Sequence, residues 1–265
     1  DDCKTKEHKK VSGKWKSWFS SDSKEIIYSE SIVCTYSIIK NILKTSGNGS
    51  DITTDMIKGD LLREYNKLFE QGHRDMILNI LFYQGKVNHI RSIKDSNNPL
   101  TFEGYVLSEN YWLTNLDIWI LSKLHNVGII LISGTKFQTE NKKNILPLVY
   151  SDNGEYYFIK APKHYDNKPP KYRLIVNNED NSKFIFSELK SKLQTLISST
   201  KTLTGKGYTL EKHLNEFKPV VYIQKKQMVG KLKLAVDRDD SSVTSSVKAR
   251  KKKKKIKLTG KVNKN

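Results

Sequence analysis

The run YWLTNLDIWILSKLHNVGIILI, Tyr111 to Ile132, decides how this chain folds. Thr114 or Asn115 can cap a helix on which Leu116, Trp119, Ile120 and Leu124 recur at helical spacing. His125–Gly128 turns the chain, and Ile129–Ile132 is an unbroken apolar run suited to a central strand. Trp112 and Trp119 belong to this helical entry and are expected in the core.

Upstream, Ile26, Ile27 and Tyr28 suggest a short extended piece. Cys34–Leu43 reads as a helix with Ile38, Ile39, Ile42 and Leu43 as its buried stripe. A second helix is expected from Thr53 to Phe69, capped by Ser50, Asp51 or Thr53, and a third over Arg74–Phe82. Downstream, strands are expected at Ile145–Tyr150, Glu155–Lys160 and Tyr172–Val176. Asp152–Gly154 makes a hairpin turn between the first two, and Pro162, Pro169 and Pro170 keep 161–170 irregular. Phe184–Ile197 reads as an amphipathic helix, and 199–247 as a strand-bearing extension or a strap that folds on a partner. Helices first and strands last give an α/β (α+β) domain, a small central sheet flanked by helices.

Several function classes find no support. The chain has no GxxxxGK[ST] or GxGxxG turn, no CxxC pair and no HExxH helix, so neither a cofactor nor a metal is expected. His73, His89, His125 and His213 have no partner pattern and are expected at the surface or at helix ends. Asp117 and Glu155 read as isolated carboxylates, with nothing to suggest paired acid/base work. Two cysteines 31 positions apart cannot form a disulfide framework, which points to a reducing compartment. No run nears the roughly 18 apolar residues needed to span a bilayer. An intracellular chain in cytoplasm or virion, neither secreted nor in a membrane, is expected. The opening Asp1, without Met, reads as part of a longer protein.

Charge is placed unevenly. Residues 248–265 hold ten Lys or Arg and no acid, more than half of the formal charge of +19. Lys248, Arg250, Lys251, Lys252, Lys253, Lys254, Lys255 and Lys257 form a basic tail without interleaved aromatics. It reads as a solvated end, or as an unspecific, salt-dependent contact with nucleic acid phosphates, an import signal or an anionic surface.

The order of these elements resembles the ovarian tumour (OTU) family of cysteine proteases. That family's nucleophile opens a helix in a pattern that Cys34, Thr35, Tyr36, Ser37, Ile38 and Ile39 fit loosely. Its Trp-Gly-Gly segment, helix and central strand are matched by Trp112-Leu113-Thr114, Leu116-Asp117-Ile118 and Ile129-Ile130-Leu131. The layout of its closing strands is followed by Ile145–Tyr150, the Asp152–Gly154 turn and Glu155–Ile159. The resemblance spans roughly 25–178 and implies a papain-like/OTU-like fold and action on ubiquitin conjugates, with Cys34 as nucleophile.

The departures are specific. Ser31, Ile32 and Val33 stand where the family has Asp and Gly, and Leu113-Thr114 replaces Gly-Gly. Tyr156 stands in the register of the catalytic His, and a phenol of pKa near 10 cannot serve as its base at neutral pH. The literal His164-Tyr165-Asp166 offers His164 as an alternative base. The resemblance is thus to a degenerate member: a protein-binding or structural module, or alternatively an active deubiquitinase with Cys34 and His164. A carrier for a nucleic-acid-binding tail is the third reading. A ubiquitin-like protein or another viral protein is the expected partner, since abundant Lys, Asn and Ile suit the AT-rich genomes of large DNA viruses. The expected division is a flexible basic lead-in over 1–24, the OTU-like domain over 25–178, an appended helix and extension over 179–247, and the disordered basic tail over 248–265.

Overall fold

The computed structural model describes residues 3, 7–48, 51–133, 151, 153–178, 181–204 and 209–217. All of them belong to one unit, residues 1–222. The expected strand at 145–150, with the hairpin it would share, and the basic tail lie outside the described residues.

The strands are β1 (Glu7–Lys10), β2 (Lys24–Ile27), β3 (Gly128–Ile132), β4 (Glu155–Lys160), β5 (Arg173–Val176) and β6 (Phe184–Ile185). The helices are α1 (Ile32–Thr45), α2 (Thr54–Glu70), α3 (Arg74–Tyr83), α4 (Val87–Lys94), α5 (Phe102–Leu107), α6 (Asn115–Leu124), α7 (Ser191–Thr204) and α8 (Leu210–Glu216). The sheet runs β1-β2-β5-β4-β3, with β6 pairing the start of β4. Only the β3–β4 pair is parallel among these strands, Gly128 lying opposite Tyr156.

Residue alternation assigns the two faces of the sheet. Ile129, Leu131, Tyr157, Ile159, Leu174 and Val176 pack in one core with apolar residues of α1–α6 and α8. Ile130, Ile132, Tyr156, Phe158 and Ile175 pack in the other with Trp15, Phe19, Leu193 and Ile197. Successive strand residues face opposite sides, so a sheet sandwiched between two layers needs apolar residues at every position. The continuous run Gly128–Ile132, all five residues buried, is that requirement read in sequence.

Helix starts follow local chemistry. Ser31, Thr53, Thr101, Thr114 and Thr209 each accept a backbone N–H of their own helix's first turn, satisfying donors that the helix leaves free. Thr114 and Asp117 form a reciprocal capping box.

Three expectations are revised. Residues 7–19, within the stretch expected as a flexible lead-in, form an edge strand and a 3-10 turn. The segment docks its aromatics on the domain, burying Trp15 and Phe19 under the sheet, and Trp15 Nε1 donates to the carbonyl of Ser133 at 2.6 Å. The amphipathic run from Phe184 is strand β6 and a short turn before α7 begins at Ser191, because Tyr156 and Phe184 pair across strands. The two cysteines are bonded to each other rather than separate thiols.

Candidate functional site

Antiparallel pairing explains why two cysteines 31 residues apart meet. Glu7 lies opposite Ile27 and Lys10 opposite Lys24, so the N-terminal end of β1 lies beside the end of β2 that leads into α1. Cys3 and Cys34 join there, with Cα atoms 4.9 Å apart. Cys34 is the third residue of α1, and its N–H donates to the Ser31 hydroxyl at 3.2 Å. The first turn of α1 carries no acid, so the positive end of the helix faces this sulfur uncompensated by a carboxylate of its own turn. Cys34 is 2% exposed and Cys3 7%.

The loop carrying His164 comes to the same end of the sheet. β4 finishes at Lys160 opposite Arg173, where β5 begins, and Ile27 lies opposite Arg173 from the other side. The 161–172 connection and the start of α1 therefore share that end. Tyr28 N–H donates to the Tyr172 carbonyl at 3.5 Å. His164 makes no hydrogen bond to Cys34: both of its ring nitrogens are buried without a partner. Burial and the nearby Lys86 charge pull its pKa down to about 4.

Tyr156 does not take the place of a catalytic base. It packs on the face opposite Cys34, its ring 6.2 Å from that of Phe186, because it is one residue out of phase with Tyr157 and Ile159.

Beside Cys34 lies a polar cluster that the sequence did not disclose. Thr35 Oγ1 accepts from Leu113 N at 3.0 Å, and Tyr36 donates to the Tyr111 carbonyl at 2.8 Å, fixing the 111–114 segment against α1. Lys86, fully buried at the turn between α3 and α4, donates to the Trp112 carbonyl at 2.6 Å and lies 3.4 Å from the Tyr111 ring centroid. Burial lowers its pKa to about 7, opposed by the charge of Asp117. His89, one turn along, stacks on Tyr105 at 4.1 Å, and burial followed by Lys86 lowers its pKa. The nitrogens His89 Nδ1 and Trp112 Nε1 are buried without hydrogen-bond partners.

Asp117, read from sequence as isolated, is a buried hub. Its Oδ1 accepts from Tyr65 at 2.6 Å and Tyr111 at 2.7 Å, and its Oδ2 from Thr114 N at 2.7 Å and Thr114 Oγ1 at 2.8 Å. Glu155 pairs with Lys183 at 3.0 Å. His73 and His125 sit at helix ends as expected, whereas His89 belongs to the Lys86 cluster. Among the described residues no group of three His, Cys, Asp or Glu could hold a metal, and no helix is long and apolar enough to cross a membrane.

No family model matches the chain, and no curated protein matches it. A solved structure of an OTU domain in complex with ubiquitin superposes with a TM-score of 0.37 at 14% identity, over 72% of this chain and 93% of that one. So loose a likeness sets neither family nor fold.

Proposed function

We propose that this chain is an OTU-like module that binds a protein partner, a ubiquitin-like protein being the first candidate, without cleaving it. The observation that carries this reading is the state of Cys34. Its sulfur is bonded to Cys3, and the histidine whose loop shares its end of the sheet is held neutral. A base whose conjugate acid titrates near 4 has little drive to take a proton even from a thiol that a helix N-terminus makes more acidic than usual, and a sulfur held in a disulfide is no nucleophile.

Exposed apolar side chains support the binding role. Val33 precedes Cys34, Tyr165 follows His164, and Leu107 ends the helix whose last carbonyls receive Lys58 Nζ beside the Tyr36 ring. Exposed apolar side chains suit a protein surface better than a charged polymer. The viral setting read from composition belongs to the same proposal.

Titration of isotope-labelled chain with ubiquitin tests the binding. The expected result is fast-exchange shifts at Val33, Leu107 and Tyr165, weakened by Val33→Asp. Shifts confined to other surfaces, or none at millimolar ubiquitin, would sink it.

A second reading, an active isopeptidase with Cys34 as nucleophile and His164 as base, draws support from the shared sheet end. It requires the disulfide to open and His164 to reach the freed sulfur. The third, nucleic-acid contact through Lys248–Lys257, rests on sequence alone.

A further inference from the structure

We propose that the Cys3–Cys34 disulfide is an exchangeable latch, a thiol-modification site at which a dithiol reductant attacks Cys3 and Cys34 leaves. The latch rests on where the disulfide sits and stands whether or not the chain binds a ubiquitin-like protein.

Three observations carry it. The leaving sulfur occupies the third position of α1, where the helix N-terminus stabilises a thiolate and no first-turn carboxylate opposes it. A disulfide whose departing sulfur makes a stable thiolate exchanges faster. The strand that follows Cys3 lies at the sheet edge: β1 has four residues, all with exposed side chains, and it pairs with β2 alone among the described strands. Lifting β1 breaks that ladder and withdraws Cys3 from the edge of one core, while the next anchors, Val11 and Trp15, stay in the other. At 2% and 7% exposure the sulfurs are shielded until this local opening occurs.

One thiolate of the dithiol attacks Cys3 Sγ, the Cys3–Cys34 bond breaks, and Cys34 departs as thiolate. The second thiol of the reductant then loses its proton and attacks its own sulfur in the mixed disulfide, releasing Cys3 as thiolate. Two electrons and two protons pass to the protein, which gains two thiols, and the reductant becomes a cyclic disulfide. Opening releases the segment before β1 from its covalent tie to α1 and frees both sulfurs, so redox state controls whether Cys34 exists as a thiol.

The test uses the full chain, purified in air, with dithiothreitol as probe and no denaturant. Iodoacetamide quenching and intact mass follow the thiols, and hydrogen exchange follows the β1 amides and the core. The expected result is no alkylation before reduction and two alkylations after it. Reduction should run at least about tenfold faster than global unfolding measured by core amide exchange. Exposure to glutathione, a monothiol that cannot close a ring, should leave the mixed disulfide on Cys3, and removal of free glutathione should let the Cys34 thiolate attack Cys3 Sγ, expel glutathione as thiolate and restore the bond. Two free thiols in the untreated chain, reduction no faster than global unfolding, or glutathione on Cys34 would each overturn the latch. Cys3→Ser supplies the constitutively open form, and its β1 amides should exchange faster than in the oxidised chain. Unchanged β1 exchange would show that the bond does not hold the strand.

Discussion

Replacing Asp117 with Asn perturbs the hub that orients the segment beside Cys34 while leaving its volume almost unchanged. The carboxylate accepts four hydrogen bonds, two from phenols and two from Thr114, at 0% exposure. An amide can place its oxygen toward only one of those pairs. With oxygen facing Thr114, the NH₂ faces the Tyr65 and Tyr111 hydroxyls, whose pKa values burial and Asp117 already raise well above normal. Those phenols are therefore protonated donors that lose their acceptor. Each charge-assisted bond contributes roughly 1.5–3 kcal/mol, and the phenols can recover part by turning to accept from the amide. The expected loss is about 3 kcal/mol. Urea unfolding at pH 7, followed by far-ultraviolet circular dichroism, reads it as a lower midpoint at unchanged slope. Tyr65→Phe and Tyr111→Phe should each cost about 1 kcal/mol, and each should couple to Asp117→Asn by a similar amount in a double-mutant cycle. A loss under about 0.5 kcal/mol, or additive phenol and carboxylate variants, would refute the hub.

Three further outcomes follow from the same contacts. Lys86 titrates near 7 when folded but near 10.4 unfolded, so between those values the unfolded chain holds a proton that the folded chain lacks. Stability should rise with pH from about 7 to 9, by up to about 1.4 kcal/mol per pH unit, and Lys86→Met should remove that slope. Glu25, at 0% exposure, is pushed up by burial but pulled down further by Lys160, Ser12 and Arg173 together, so its folded pKa is below the ordinary value. The stability it adds is present above about pH 4.5 and lost as pH falls through the lower folded pKa; Glu25→Gln should cost about 3 kcal/mol at pH 7 in thermal or urea melts and flatten that acid limb. Gly85 has φ +100°, and an added Cβ would lie 2.6 Å from the Tyr165 carbonyl oxygen. Gly85→Ala should cost roughly 2 kcal/mol and loosen the 163–168 loop, moving the His164 pKa from about 4 toward 6.5 in an imidazole NMR titration.

Periodicity made the middle of the chain legible. The Leu116–Leu124 helix and the Ile129–Ile132 strand stand where their spacing put them, because a buried element between two layers leaves its pattern in consecutive residues. β4 and β5 were readable for the same reason. The edges were not. β1 is four polar or charged residues with all side chains exposed, so no apolar alternation marks it, and its pairing is what delivers Cys3 to Cys34. α4 and α5 are eight and six residues long, too short for a clear stripe. In the candidate site, Cys34 was visible from its helix-start context, whereas Lys86, His89 and Asp117 meet only in three dimensions. Tyr156 was misplaced because matching a hairpin by order ignores the pleat. Its side chain lies across the sheet from Cys34, whereas the His164 loop arrives at the sheet end where α1 begins.

The most direct test of the central claim frees Cys34 and asks whether it reacts. Cys3→Ser removes the disulfide partner, and a ubiquitin carrying a C-terminal thiol-reactive electrophile then probes the sulfur under native conditions. The expected result is ubiquitin binding without a covalent adduct, because Cys34 is 2% exposed and His164, held neutral near 4, makes no hydrogen bond to it. An adduct that forms on Cys3→Ser within minutes, and disappears when Cys34 or His164 is also replaced by Ala, would contradict it and make the chain a cysteine isopeptidase.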